Sequence, residues 1–315
     1  MFKKGFLKSF FSFLMIMILA ISFGGCSLQS KTSGNTSEKK ESAVYPMKVV
    51  DSYNREVTIE KEPQKIVSIA PNITETIFAL GKGNKLVGRT DFCDYPSEVK
   101  DIQSIGTLKD PNIEKIVELK PDLVIASTHF KKDVLKKLED LGIKVVVLYG
   151  EESFDGVYDT IKKVGQVTNA NNEAEKIIAD MKKKVENVVS KVKDKDKPKI
   201  YYVVGYGKTG DFTAGKGTFI NSMIEMAGGD NVAKDTEGWK YSLEKLIEKN
   251  PEIIVCSKSF DTKKGIESTN GYKDLKAVKE GKLIEIDNNL LDRQGPRLAL
   301  GLEELAKVLH PDIFK

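Results

Sequence analysis

The sequence predicts an α/β protein built as two Rossmann-like lobes joined by one long rigid helix. Three observations carry that prediction. Short apolar runs alternate with helical stretches through most of the 315 residues, which is the pattern of strand–helix units feeding a parallel sheet. Near the midpoint, residues 171–193 carry Ala174, Ile177, Ile178, Met181, Val185, Val188, Val189 and Val192. These steps of three, four and one draw a single apolar stripe down a helix. The sequence on the two sides of that helix is also alike. Residues 112–127, NIEKIVELKPDLVIAS, align with 242–257, SLEKLIEKNPEIIVCS, at a constant offset of 130. Each segment reads as a cap, a helix with an acid at its second position, a proline-broken turn and a buried strand. The shared E-K-x-x-E and P-[DE] weigh against a chance likeness of two ordinary αβ units.

Taken in order, residues 47–59 form a hairpin with apolar runs around a polar turn. A strand at 66–70 leads through Pro71-Asn72 into a helix at 74–80, ended by Gly81. Strands follow at 86–88, 123–126 and 145–148, with helices at 113–119 and 133–141, the latter stopped by Gly142. The central helix has no Gly or Pro before Pro198, and Asn171 or Asn172 caps its start. Its length is roughly 35 Å at 1.5 Å per residue, so it reads as a strut between lobes. The second lobe brings strands at 200–204, 253–255 and 283–286, and helices at 218–227, 243–248 and 297–309.

The first 25 residues stand apart. Lys3, Lys4 and Lys8 precede an apolar run at 10–23 that is too short for a comfortable membrane span, as in a secretory leader. Phe23-Gly24-Gly25-Cys26 resembles the lipobox of bacterial lipoproteins, which makes Cys26 the lipidated N-terminus; an incidental cysteine after an ordinary signal is the alternative. Residues 27–42, SLQSKTSGNTSEKKES, contain one apolar side chain and read as a flexible tether. The expected divisions are 1–25 leader, 26–45 lipid-anchored tether, 46–170 first lobe, 171–193 bridging helix and 194–315 second lobe. Losing the leader lowers Lys+Arg from 50 to 47 against 46 acids, which leaves no basic surface for nucleic acid. Cys93 and Cys256 flank the strut, lack zinc-site spacing, and point to no disulfide framework.

Several motifs invite chemistry. Gly205-x-Gly207-x-x-Gly210 follows a strand, but Gly210 runs into Asp-Phe-Thr-Ala-Gly and not into a helix start that could hold a pyrophosphate. The stretch 210–217 nearly spells a phosphate loop, yet Gly217 stands where Ser or Thr must meet magnesium. Both read as flexible loop glycines at a cleft edge. No G-x-S-x-G and no H-E-x-x-H occurs. Of the two histidines, His310 closes the last helix. His129 follows the strand at 123–126, at the end where parallel sheets place ligands, with a solvated loop histidine as the competing reading. Phe92, Tyr95, Phe130, Tyr206, Phe212, Trp239 and Tyr241 fall in loops or at element ends, where a ligand, a partner or their own lobe must cover them. Trp239 and Phe212 are the best cleft candidates. Glu114 and Glu244 occupy matched places two residues after the caps Asn112 and Ser242. The helix macrodipole explains an acid at each place, worth about 0.3–1 kcal/mol. Their matching suits a two-fold partner with basic pockets.

Six segments together resemble the helical-backbone class of ABC-transporter substrate-binding lipoproteins, which serve ferric siderophores, haem and cobalamin. They are PQKIVSIAPNITETIFALG (63–81), VGRTDFCDYP (87–96), NIEKIVELKPDLVIAS (112–127), FTAGKGTF (212–219), EMAGGDNVAKD (225–235) and LDRQGPRLALGLEELAKVLHP (291–311). The resemblance implies two α/β lobes bridged by one long helix, a ligand cleft between them, and Glu114 and Glu244 meeting arginines of a permease dimer. TDFCDYP and RQGPRL are most similar to cobalamin binders, which assigns Phe92, Phe212, Trp239, Asn289 and Arg293 to the cleft; Asn72 is counted with them. Leu108 stands where cobalamin binders can place a tryptophan, so ferric siderophore and haem stay open, with haem ranked below the other two. For haem or cobalt, His129 is the candidate axial ligand.

The expectation is a non-enzymatic binding protein, exported and lipid-anchored to the outer face of the cytoplasmic membrane. It captures a metal chelate and delivers it to an ABC permease dimer with its ATPase subunits. It needs no resident cofactor, because the ligand carries the cobalt or iron. The rivals are an extracytoplasmic nucleotide-dependent enzyme using residues 205–217, and a structural surface lipoprotein.

Overall fold

A computed structural model describes residues 43–314; Cys26, the leader and the tether through residue 42 lie outside the described residues. The chain opens with an antiparallel hairpin, β1 (Met47–Val50) against β2 (Glu56–Ile59). Then come β3 (Ile66–Ser68), α1 (Pro71–Ala79), β4 (Leu86–Arg89), α2 (Ile113–Leu119), β5 (Leu123–Ala126), α3 (Lys132–Asp140) and β6 (Val145–Val147). Two helices in succession, α4 (Phe154–Val167) and α5 (Asn171–Val192), lead across to β7 (Lys199–Gly205), β8 (Phe212–Thr213) and α6 (Phe219–Met226). The remainder is β9 (Asp230–Asn231), α7 (Leu243–Lys249), β10 (Ile253–Ser257), α8 (Thr262–Ser268), α9 (Lys276–Lys279), β11 (Leu283–Ile286), α10 (Asn289–Asp292) and α11 (Leu298–Leu309).

The first sheet runs β4-β3-β5-β6, all parallel. The second runs β11-β10-β7, and the free edge of β7 pairs with β9 in parallel near its start and with β8 antiparallel near its end. Without β8 the two orders are the same: the first strand of each lobe has its second strand on one side and its third on the other. The strand order therefore reverses between β3 and β5, and again between β7 and β10, which is where such sheets open a ligand crevice.

The 130-residue echo has a matching geometry. Asn112 and Ser242 cap α2 and α7 by accepting from the Lys115 and Lys245 amides. Both helices end on a left-handed residue, Lys120 at φ 48° and Asn250 at φ 41°. Each then passes a proline into the central strand of its sheet.

The α4 helix is absent from the sequence reading, although Phe154, Val157, Tyr158, Ile161, Val164 and Val167 make a buried stripe along it. Its two glycines lower helix propensity but serve contact: a Cβ on Gly165 would lie 2.6 Å from that of Ala174 on α5. Helix α5 begins at Asn171, with Ala170 as its uncapped N-cap residue, so the asparagine cap expected from sequence does not form. Its stripe buries Ala174, Met181, Val188 and Val192 between α4 and α11. One continuous core runs from β3 and α1 through α4, α5, α6 and α11 to the second sheet. The outer sheet faces carry separate cores under α2 and α3, and under α7 and α8. Cys93 and Cys256 are free and buried in different lobes.

Candidate functional site

A cavity of about 370 Å³ lies between the lobes, lined by the residues that follow β3, β5 and β6 and, opposite them, by the start of α6, Trp239 and residues 291–294. Both sheets thus present their carboxyl ends to it, as open parallel sheets do. Of the sequence candidates, Asn72, His129, Trp239 and Arg293 line the wall, and so does Leu108. Phe92, Phe212 and Asn289 lie outside it: Phe92 is 59% exposed nearby, Phe212 packs against Gly205 and Gly210, and Asn289 turns the chain into α10.

Each wall residue is held by its own local logic. Pro71 starts α1 at a position where its missing N–H costs nothing. Next to it, the Asn72 amide donates to Ser127 Oγ at 3.2 Å and across the cleft to the Gln294 carbonyl at 3.3 Å. His129 takes φ 63° in the loop after β5. Buried Phe130 anchors that loop, and its carbonyl accepts from the Tyr53 hydroxyl of the hairpin turn. Trp239 is 44% exposed and sits on a segment whose backbone pairs with the β8 region: Thr213 N–H donates to the Trp239 carbonyl at 2.8 Å, and Gly215 N–H to Gly238 at 2.9 Å. A Cβ on Gly215 would meet the Thr236 carbonyl at 2.3 Å and that of Gly238 at 2.6 Å. The phosphate-loop look-alike therefore owes this glycine to close backbone approach, and residues past Gly210 enter β8, with no helix start there. Of the remaining loop aromatics, Phe130 and Tyr241 are claimed by the cores of their own lobes.

Beside the cavity the structure joins TDFCDYP to RQGPRL through a charge cluster that sequence reasoning missed. Glu75 on α1, its side chain 2% exposed, accepts from Arg293 at 2.9 Å and from Arg297 at 2.8 and 2.7 Å. Arg293 also reaches Asp94 and the Phe92 carbonyl, and the Arg297 guanidinium stacks 3.9 Å from the Tyr95 ring centroid. Burial pulls the Asp94 pKa upward, but the bond and charge of Arg293 outweigh it and leave Asp94 below its ordinary range. An acid amid Ile73 and Ile77 on α1 was the available signal, yet its partners lie 218 and 222 residues away.

Glu114 and Glu244 are exposed in the first turns of α2 and α7, and neither forms an ion pair among the described residues. Glu244 is held below the usual carboxylate range by its own backbone N–H and the Ser242 hydroxyl, against a smaller opposing effect of burial. One turn on, Val117 is 41% and Ile247 49% exposed, so the echo extends to an aliphatic side chain beside each glutamate. His310 is buried against the Gly228 carbonyl at 3.2 Å, a packing role. No helix of the described residues is long and apolar enough to cross a membrane.

Comparison with known proteins agrees with this architecture. The family described as periplasmic binding protein matches residues 66–290. YvrC of Bacillus subtilis, an uncharacterized ABC transporter substrate-binding lipoprotein, is 35% identical over 306 residues, spanning 95% of this chain and 96% of that protein. A cobalamin-binding protein of Halobacterium salinarum is 26% identical over 95% of this chain and 84% of its own length. The crystal structure of a possible iron-binding, periplasmic solute-binding protein from Staphylococcus epidermidis superposes with a TM-score of 0.69 at 32% identity, over 79% of this chain and 100% of that one.

Proposed function

The chain belongs to the periplasmic binding protein family, and from that premise we propose that it captures a metal chelate outside the cytoplasmic membrane and hands it to an ABC importer. The observation that carries the reading is the cavity walled by both lobes at the carboxyl ends of their sheets, with Asn72 bonded across it to Gln294. A chelate of a corrinoid or ferric siderophore type suits a wall that mixes an indole, aliphatic side chains and hydrogen-bonding groups. The cobalt or iron arrives inside the ligand, so the protein supplies no cofactor of its own. Anchoring through Cys26 keeps the protein at the membrane where the permease stands.

Glu114 and Glu244 are the docking points for the two halves of the permease dimer, each with an aliphatic neighbour to exclude water from the contact. The nucleotide-enzyme alternative loses its support: Gly210 leads into β8 where a dinucleotide fingerprint needs a helix start, and Gly217, just before the Thr218 cap of α6, stands where a phosphate loop needs Ser or Thr. Trp239, the single tryptophan, reports directly on the cavity. Titrating the protein with cyanocobalamin, haemin and ferric siderophores should quench its fluorescence saturably with at least one of them. Quenching by ATP or NAD and by none of the chelates would overturn the proposal.

A further inference from the structure

We infer that the cleft is matched to a chelate carrying no net negative charge, an inference that rests on the chelate-binding reading above. The charged side chains on the cavity wall are Glu152, Asp292 and Arg293. Arg293 is already committed: one of its terminal nitrogens donates to Glu75 and Asp94 and the other to the Phe92 carbonyl. No lysine lines the cavity among the described residues. Glu152 and Asp292 therefore set the sign of the field there.

Asp292 is exposed at the cavity wall. Desolvation and the charge of Asp287 raise its pKa above the ordinary carboxylate value, against the Asn288 amide, which donates to it at 2.7 Å, and the charge of Arg293. An incoming anion would add a like charge at the same wall, and like charges repel.

Two helix N-termini also face the cavity, and their partial positive charge is the one counterweight. It is blunted in both. Helix α1 opens on Pro71, which has no N–H to offer, and an amide in the first turn of α6 donates to the Thr218 hydroxyl. Polar groups of the wall, Asn72, Ser127 and Gln294, serve neutral amide and carbonyl edges. The chelate class that fits is a neutral corrinoid or a neutral to cationic ferric hydroxamate. Haemin, with its two propionates, and a ferric tris-catecholate trianion lack a cation to meet.

The test is a set of Trp239 quenching titrations at pH 8, corrected for probe absorption. The probes are cyanocobalamin (neutral), a ferric trihydroxamate of single positive charge, haemin, and a ferric tris-catecholate. At least one neutral or cationic probe should bind about tenfold or more tighter than either anion, a gap that narrows when salt rises from about 20 mM to about 500 mM. Combining Glu152→Gln with Asp292→Asn should narrow the gap between the neutral and the anionic probes by about tenfold; the exposed single variant Glu152→Gln should move that ratio the same way. Equal or tighter binding of an anion overturns the charge inference and leaves the chelate reading standing. No quenching by any of the four overturns both.

Discussion

At the scale of single residues, the fold's most consequential polar group is Glu75. Its carboxylate is buried between two guanidiniums carried by the other lobe, and removing one member of such a set leaves the remaining charges desolvated without a partner. Glu75→Gln should therefore lower unfolding free energy by about 3 kcal/mol in urea melts. Asp94→Asn, at a carboxylate more than half exposed, should cost under about 1 kcal/mol. Equal losses would mean the cluster is a surface network. Glu62 supplies one part of the acid dependence. Bonds from Lys85 and Asn169 lead, with the Lys85 and Lys82 charges adding and burial opposing, and together they bring its pKa down to about 2. A carboxyl with a depressed folded value stabilises fully above its unfolded value and loses that contribution as pH falls through the folded one. The window runs from roughly pH 4.5 down to about 2. Screening at this partly exposed site limits the contribution to about 1 kcal/mol. Glu62→Gln should flatten the stability curve in that window and leave its slope above pH 6 unchanged.

At the scale of elements, what the sequence exposes is whatever depends on near neighbours. The stripe on α5, the caps Asn112 and Ser242 and the proline turns before β5 and β10 are all local devices, and they stand where periodicity and cap chemistry put them. Helix α4 is missing from the sequence reading; its Gly156 and Gly165 lower helix propensity but allow close contact with Glu151 and Ala174. The cleft was legible in part: position after a strand identified His129, and an isolated indole in a loop identified Trp239, both on the cavity wall. The Glu75–Arg293–Arg297 cluster was not legible, since nothing in α1 names a partner over 200 residues away. The same distinction fixes what substitutions in α5 should do. Val188 is fully buried and Val189 is 37% exposed, although both belong to the apolar stripe. Val188→Ala should cost about 1–2 kcal/mol through lost burial and a small cavity, and Val189→Ala under about 0.5 kcal/mol. Comparable losses at both sites would show that the core does not close on Val188. A proline at Val185 is more severe, since it breaks the helix by about 3 kcal/mol or more in the middle of the core that both lobes share.

At the scale of the whole molecule, that shared core decides how the lobes can move. Helices α4, α5, α6 and α11 bury one apolar layer between the sheets, with Phe154 and Phe219 edge-to-face across the lobe boundary at 5.5 Å. On the cleft side, Glu75 ties the lobes again through Arg293 and Arg297. A hinge would have to open an apolar layer or strand a buried carboxylate, so ligand binding should rotate the lobes little. A closure of tens of degrees between empty and loaded protein would contradict this. A fixed interlobe geometry in turn fixes the separation of α2 and α7 on the outer faces, each presenting a glutamate and, one turn on, an aliphatic side chain. Such a pair of matched patches on one chain suits a partner whose two halves are related by a two-fold axis. Glu114→Ala with Glu244→Ala should then abolish uptake in cells while leaving the Trp239 titration unchanged, because neither residue lines the cavity. Val117→Ser with Ile247→Ser should weaken uptake less, in proportion to the smaller area each buries. Normal transport by the double glutamate variant would sink the docking assignment and leave ligand capture untouched. Lost transport with altered quenching would place the defect in the lobes themselves. Only the combination of lost uptake and unchanged binding fits a rigid carrier whose two glutamates are read together.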